Sequence, residues 1–344
     1  MKAKASIFGA KSPFAAESKD TIDELCDQIR NQKLLPIISN NITDDLLFGN
    51  HEKLIEAFAE AQEYPFADKQ NLARVSQYAD INQRAENKGR KNVYQVKKDY
   101  ITFLKDNLWP LADEDLWAEV LEEKPVDELR SMLFTDFAQL LELPNFSDDQ
   151  LDTLAILTEL SLPVYVTTSY HTFMERALIA AGRKPVSGIS YWRPNLKGLA
   201  SYFVDGSYAP TPEAPLVYHL LGIEQYPESM VMTEDEHLDF LAGISEDWQW
   251  QEGIPGCVRQ ALSNSSLLLL GYNLWGWDFR VLLRGLIKRS FNENSPQSVS
   301  IQVREDEQER VYFQKYLENE VEFEVLWEPT MDLMQQIYDR MRAS

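Results

Sequence analysis

Three short apolar runs, each ending abruptly on polar residues and each followed by a helical pattern, limit this chain to one kind of architecture. Pro163-Val164-Tyr165-Val166-Thr167-Thr168-Ser169-Tyr170-His171 is a β-branched run that stops at small hydroxylated residues and leads into Phe173, Ala177, Leu178 and Ala181 at helical spacing. Leu216-Val217-Tyr218-His219-Leu220 places a histidine near the end of a second run. Leu267-Leu268-Leu269-Leu270-Gly271-Tyr272-Asn273 is the third, with a helix expected from about Trp277-Asp278. Runs that are apolar at every position, not at alternate ones, are the pattern of strands buried on both faces of a parallel sheet. Open sheets of that kind gather ligands at the carboxyl ends of their strands. Three polar strand ends therefore predict one pocket.

The rest of the chain supplies the helices. Leu34-Leu35-Pro36-Ile37-Ile38 reads as the first strand and runs into Ser39-Asn40-Asn41-Ile42-Thr43-Asp44-Asp45, expected to be a polar turn without glycine. A loop that wraps a pyrophosphate needs glycine for tight turning and close backbone approach. From about 50 to 160 there is almost no strand signal, and Leu54, Ile55, Phe58 and Ala59 begin a series of helical patterns, so a large helical insertion is expected after the first strand. Ser18-Lys19-Asp20-Thr21 is expected to open a helix through Ile22, Leu25, Cys26 and Ile29; further strands are expected at 298–303 and 321–326, and helices at 171–182, 234–243, 255–264, 277–289, 304–318 and 329–342. Gly182 to Pro215 is poor in pattern and is expected to form loop over the sheet ends. Strands separated by helices imply parallel pairing, hence an α/β, Rossmann-like, doubly wound parallel sheet.

Charge and cysteine content exclude several functions. Against 33 Lys plus Arg stand 55 Asp plus Glu, a formal charge of −22, which repels phosphate backbones and argues against direct nucleic-acid binding. Cys26 and Cys257 lie far apart with no Cys/His cluster, so neither a structural metal site nor a disulfide framework is expected. No segment reads as a signal peptide or membrane span, and a cytoplasmic protein is expected. There is no GxxxxGK[ST], no HExxH and no GxSxG.

Several segments, taken in order, resemble one family. Val166-Thr167-Thr168-Ser169-Tyr170-His171 with Glu175 is similar to the "TTNYD" strand end of sirtuin-like NAD-binding domains, and Val217-Tyr218-His219-Leu220-Leu221-Gly222 to their histidine–glycine segment. Ser229 to Phe240 resembles their "T-E-D" helix start, and Leu270-Gly271-Tyr272-Asn273-Leu274 through Leu283 their "G-Y-S-L…D" segment. The resemblance covers roughly 160–290 and is to the prokaryotic antiphage-defence type; the zinc-ribbon protein deacylases are unlike this chain. It implies a single sirtuin-like domain over 1–344 with the helical insertion at 50–160, and NAD bound across the sheet, with cleavage of the nicotinamide–ribose bond. It implies a catalytic role for His219, with Ser169 and His171 standing where the family pattern has Asn and Asp. It implies cofactor contacts at Ser39, Asn40, Asn41, Thr168, Ser169, Gly271, Asn273 and Asp278, with no metal.

The departures at Ser169, His171 and the glycine-free 39–45 turn strike both binding and catalysis, because one hydroxyl cannot replace an amide's separate donor and acceptor. Three readings stay open: a weak or inactive bacterial NADase that binds a nucleotide or partner protein, an active NAD-glycohydrolase using His219, and an interaction scaffold or homo-oligomer without ligand. His219 can equally be a hydrogen-bonded structural histidine, and His171 either a replacement acid or a solvent-facing helix start. Asp278 is either a first-turn charge or a ribose contact, and Asn273 a ligand contact or a turn residue. Trp248, Trp250, Trp275 and Trp277 either stack on a ligand or anchor loops. His51 and His237 are expected on helix surfaces.

Overall fold

A computed structural model describes residues 14–86, 94–144, 152–199, 208–250, 254–287, 299–303, 316, 323–326 and 328–343. Seven strands form one sheet: β1 (Leu34–Ile38), β2 (Val164–Thr167), β3 (Val186–Ile189), β4 (Leu216–His219), β5 (Ser266–Tyr272), β6 (Val299–Val303) and β7 (Phe323–Leu326). Their order is β3-β4-β2-β1-β5-β6-β7, and every pairing is parallel. The chain builds outward from β1 on one side through β2 and on the other from β5, so the direction of winding reverses between β1 and β5. That reversal opens a crevice at the carboxyl ends of those strands.

Every residue of β1, β2, β4 and β5 is buried, as continuous apolar runs require. Leu35, Ile37, Leu268 and Leu269 at the sheet centre are at most 1 % exposed. The strand absent from the sequence reading is β3, within the expected 182–215 loop. Val-Ser-Gly-Ile at a sheet edge is half exposed at its start and carries little apolar signal, and pairing with β4 makes it a strand. The helix expected over 304–318 lies outside the described residues, apart from Tyr316.

Between β1 and β2 run α2 (Asn40–Phe48), α3 (His51–Ala61), α4 (Leu72–Glu86), α5 (Gln95–Leu108), α6 (Glu114–Glu123), α7 (Val126–Ser131), α8 (Phe134–Leu140) and α9 (Thr153–Glu159), the large helical insertion after the first strand. They follow α1 (Phe14–Arg30). The later helices are α10 (Phe173–Ala180), α11 (Glu234–Trp250), α12 (Gly256–Asn264), α13 (Trp277–Leu282) and a last one, α14 (Thr330–Arg342). The side chains of Trp248 and Trp250 lie outside the described residues. No described helix is long and apolar enough to cross a membrane.

The inserted helices are tied to the rest by buried charge. Thr233 and Glu236 form a capping box at the start of α11: Glu236 N–H donates to Thr233 Oγ1 (3.2 Å), and Thr233 N–H to Glu236 Oε2 (3.2 Å). Of the "T-E-D" string, Thr233 is the residue that takes part, and its partner Glu236 directly follows the string. The other oxygen, Glu236 Oε1, accepts from Lys97 Nζ of α5 at 2.7 Å, and Lys97 is 1 % exposed. A buried pair is costly to break because the partner left behind is an uncompensated charge. Lys97→Ala is expected to destabilise the fold by roughly 3–5 kcal/mol, read as a lowered midpoint in urea unfolding; an unchanged midpoint contradicts this account.

Candidate functional site: a cleft at the sheet switch point

Strand β1 passes into α2 with no intervening loop. Ser39 N–H still bonds the sheet through Leu270 O (3.0 Å), while its hydroxyl caps α2 by accepting from Asn41 N–H (3.2 Å). Asn40 N–H donates to Thr168 Oγ1 at 3.3 Å. The expected polar turn is thus corrected to a helix from Asn40 onward: the capping serine does at one position what a turn would take several residues to do. So close a helix needs space, which Gly271 leaves. Its φ is +74°, and a Cβ there would stand 2.6 Å from Ile42 Cγ1 of α2.

Above this junction is a cleft of about 300 Å³, at the lower end of the ~300–1,000 Å³ typical of small-molecule sites. Asn40 and Asn41 line it from α2, Thr168 and Tyr170 from the end of β2, and Asn273 and Asp278 from the connection after β5. α3 adds His51 and Glu52, the connection from α3 to α4 adds Asp68 and Asn71, and α11 adds His237. Trp275 and Trp277 give the wall aromatic surface, and Leu221 and Met232 give it apolar surface. Among the described residues, no lysine or arginine lines it.

Of the residues singled out by sequence, Asn40, Asn41, Thr168, Asn273 and Asp278 come together on the cleft. Ser39 lies beneath them, 0 % exposed, with Oγ 3.4 Å from Asp278 Oδ2. Gly271 serves the packing of α2 and does not line the cleft. Asn273 Oδ1 accepts from Trp275 N–H (2.9 Å), so part of its amide holds its own turn. Burial pushes the Asp278 carboxyl above the usual carboxylate range, opposed by its N-terminal backbone contacts, by His51 and by Ser39.

Ser169, His171 and His219 do not reach the cleft. His219 is in register with Thr167 of β2, inside the sheet, whereas the cleft begins one residue later at Thr168. It is 0 % exposed, with Nδ1 2.8 Å from Ser169 O and Nε2 2.8 Å from Glu175 Oε1. Burial alone lowers a histidine pKa, but Glu175 and the Ser169 carbonyl outweigh it and raise that of His219. Both ring nitrogens face acceptors, an arrangement that favours the protonated ring and leaves neither nitrogen turned to the cleft. Two residues further along, Leu221 is the side chain that β4 sends to the cleft.

His171 is buried, not solvent-facing as one sequence reading had it. It is 1 % exposed, its Nδ1 lies 3.2 Å from Glu224 Oε1, and its ring packs edgewise on Phe134 and Phe173. Ser169 Oγ accepts from His171 N–H (3.2 Å), a local turn contact. The expectation of surface positions for His51 and His237 is also corrected, because both line the cleft. Helical spacing could not show this, since the cleft exists only where the inserted helices meet the sheet ends. The one signal available was the capping pattern Asn50-His51-Glu52 directly after Gly49, which fixes where α3 starts.

His237 is 4 % exposed, and its Nδ1–H donates to Thr233 O at 2.7 Å. Burial depresses its pKa to about 4, so the ring is neutral near pH 7. The unfolded chain therefore takes up this proton first as pH falls. The stability from neutral His237 is complete above the unfolded value of about 6.5 and is lost on descending to about 4. His237→Gln is expected to flatten the fall in melting temperature across that window; a fall parallel to that of the unsubstituted protein contradicts it.

No curated protein matches the chain. Residues 163–320, from the start of β2 to beyond β6, match the family model described as a SIR2-like domain, which supports a Sir2-like family and its NAD-related fold for this chain.

Proposed function

We propose that the chain binds a nucleotide of the NAD class in the switch-point cleft and turns it over weakly or not at all, as a nucleotide-responsive protein of bacterial defence or signalling. The observation that carries this reading is the cleft's place and lining. It opens between the carboxyl ends of β1, β2 and β5, with polar groups at Asn40, Thr168 and Asp278 and aromatic surface at Trp275 and Trp277. Asp278 suits a ribose diol, and the tryptophans suit a flat ring.

Phosphates fit less well inside. The first N–H groups of α2 are already bonded: Asn40 to Thr168, and Asn41 and Ile42 to Ser39. With no cationic lining either, we assign the ring and ribose to the interior and the phosphates to the mouth. Asn40 fits a polar ligand there: it is 7 % exposed, and its Oδ1 has no hydrogen-bond partner among the described residues. When bound, such a nucleotide supplies a glycosidic carbon whose pyridinium leaving group departs as a neutral base.

Two features support weak turnover. His219 is sealed inside the sheet with both nitrogens bonded, and Leu221 presents an apolar side chain in its place. The second reading, a scaffold, draws on Leu221 and Met232 in the cleft and on exposed Leu111, Leu121 and Val126 as a surface for a partner protein or self-association. The open volume of the cleft favours the ligand. The resemblance of 160–290 to the antiphage type is what supports the defence role and, with it, a cytoplasmic protein.

Calorimetric titration with NAD tests the reading. Saturable binding is expected, weakened about tenfold or more (~1.4 kcal/mol) by Asp278→Ala and by Trp275→Ala. Absence of binding at millimolar NAD would overturn it and leave the scaffold.

A further inference from the structure

The group in the cleft best built for chemistry is one that the family resemblance does not assign. His51 opens α3, with its side chain 13 % exposed to the cleft. Its Nδ1 lies 2.7 Å from Oδ2 of Asp44, a carboxylate that is itself 0 % exposed. The same Asp44 oxygen accepts from Asn40 Nδ2 at 2.7 Å. A carboxylate only accepts, so the ring proton sits on Nδ1 and the lone pair on Nε2. Among the described residues Nε2 has no hydrogen-bond partner.

Helix capping does not account for this contact. The start of α3 is already capped by Asn50 Oδ1, which accepts from Lys53 N–H (2.8 Å), and by Asp45 Oδ1, which accepts from His51 N–H (2.8 Å). The buried Asp44 side chain holds the imidazole and, through the same oxygen, the Asn40 amide. A buried carboxylate fixing the tautomer of a histidine whose other nitrogen faces a cleft is the arrangement of a general base.

We infer that His51 is the general base of the cleft, with Asp44 and Asn40 as its positioning residues, acting on a water that attacks the glycosidic carbon of a pyridinium nucleotide. This rests on the nucleotide reading above, and any turnover then runs through His51 and not His219. The water oxygen bonds the ribose C1′ as the C1′–N bond breaks. The bonding pair moves onto the ring nitrogen and cancels its positive charge, so the base leaves neutral and needs no acid. The water proton goes to Nε2 of His51 and then to solvent.

NAD is the probe, and released nicotinamide is followed by chromatography beside calorimetric NAD binding, for the unsubstituted protein, His51→Ala, His51→Gln and Asp44→Asn. Nitrogen-15 NMR of the unliganded protein, which has four histidines, reports the His51 tautomer independently of turnover. Expected are slow release, a loss of about 10²-fold or more in both His51 variants with NAD affinity unchanged, and a Nδ1–H tautomer that Asp44→Asn disturbs. Asp44→Asn is also expected to shift the pH profile of release, which a purely structural role would not do. NAD binding without any release, equal release after His51 substitution, or a Nε2–H tautomer would each overturn the dyad and leave the binding reading standing. Absence of NAD binding would overturn both.

Discussion

The site depends on how closely one helix approaches one strand. Ile42 of α2 occupies the space that a side chain at Gly271 would fill, with only 2.6 Å between that position and Ile42 Cγ1. Because α2 sits this deep, its first turn brings Asn40 and Asn41 level with Thr168 at the end of β2. Its second turn brings Asp44 under His51. Packing at a single glycine therefore sets binding and dyad geometry together, since packed interiors transmit sub-ångström displacements and do not absorb them.

Around this junction the chain spends buried charge on fixing elements to one another. Glu236 joins Lys97 of the inserted helices to the cap of α11. Glu224 accepts from Phe134 and Thr135 N–H at the start of α8 and pairs with His171 after β2. Glu175 of α10 pairs with His219 of β4. Glu236 and Glu224 each gather several donors, the condition under which a buried charge is tolerable. Through these contacts His171 and His219 are bonded to carboxylates that hold helices on the sheet.

The residues of the cleft are drawn from both sides of that assembly. Thr168, Tyr170, Leu221, Asn273 and Asp278 belong to the stretch similar to SIR2-like domains, whereas Asn40, His51 and Asp68 precede it. The matched stretch thus brings the strand ends, an aromatic wall, His237 and Asp278, and the segments after β1 bring His51, Glu52 and Asp68. A cleft so divided can keep the outline of a nucleotide site while its chemistry moves from the sheet to the added helices.

The sequence by itself determined the parallel α/β sheet with a helical insertion after its first strand, because continuous apolar runs bury both faces of a strand whatever surrounds them. It also determined that Asn40 and Thr168 would follow strand ends and that Asp278 would open a helix, since the first two follow closely on such runs and the third begins a helical pattern. It left β3 unmarked, because a short edge strand containing Ser187 and Gly188 owes its form to pairing with β4. Only the tertiary structure decided which histidines face the cleft. His219 is one register step too deep in β4, and His171 is drawn inward by Glu224, while His51 and His237 reach the cleft from helices whose docking the local pattern does not encode. Local periodicity specifies the buried face of an element; which element covers a strand end is set by long-range packing and buried charge pairs.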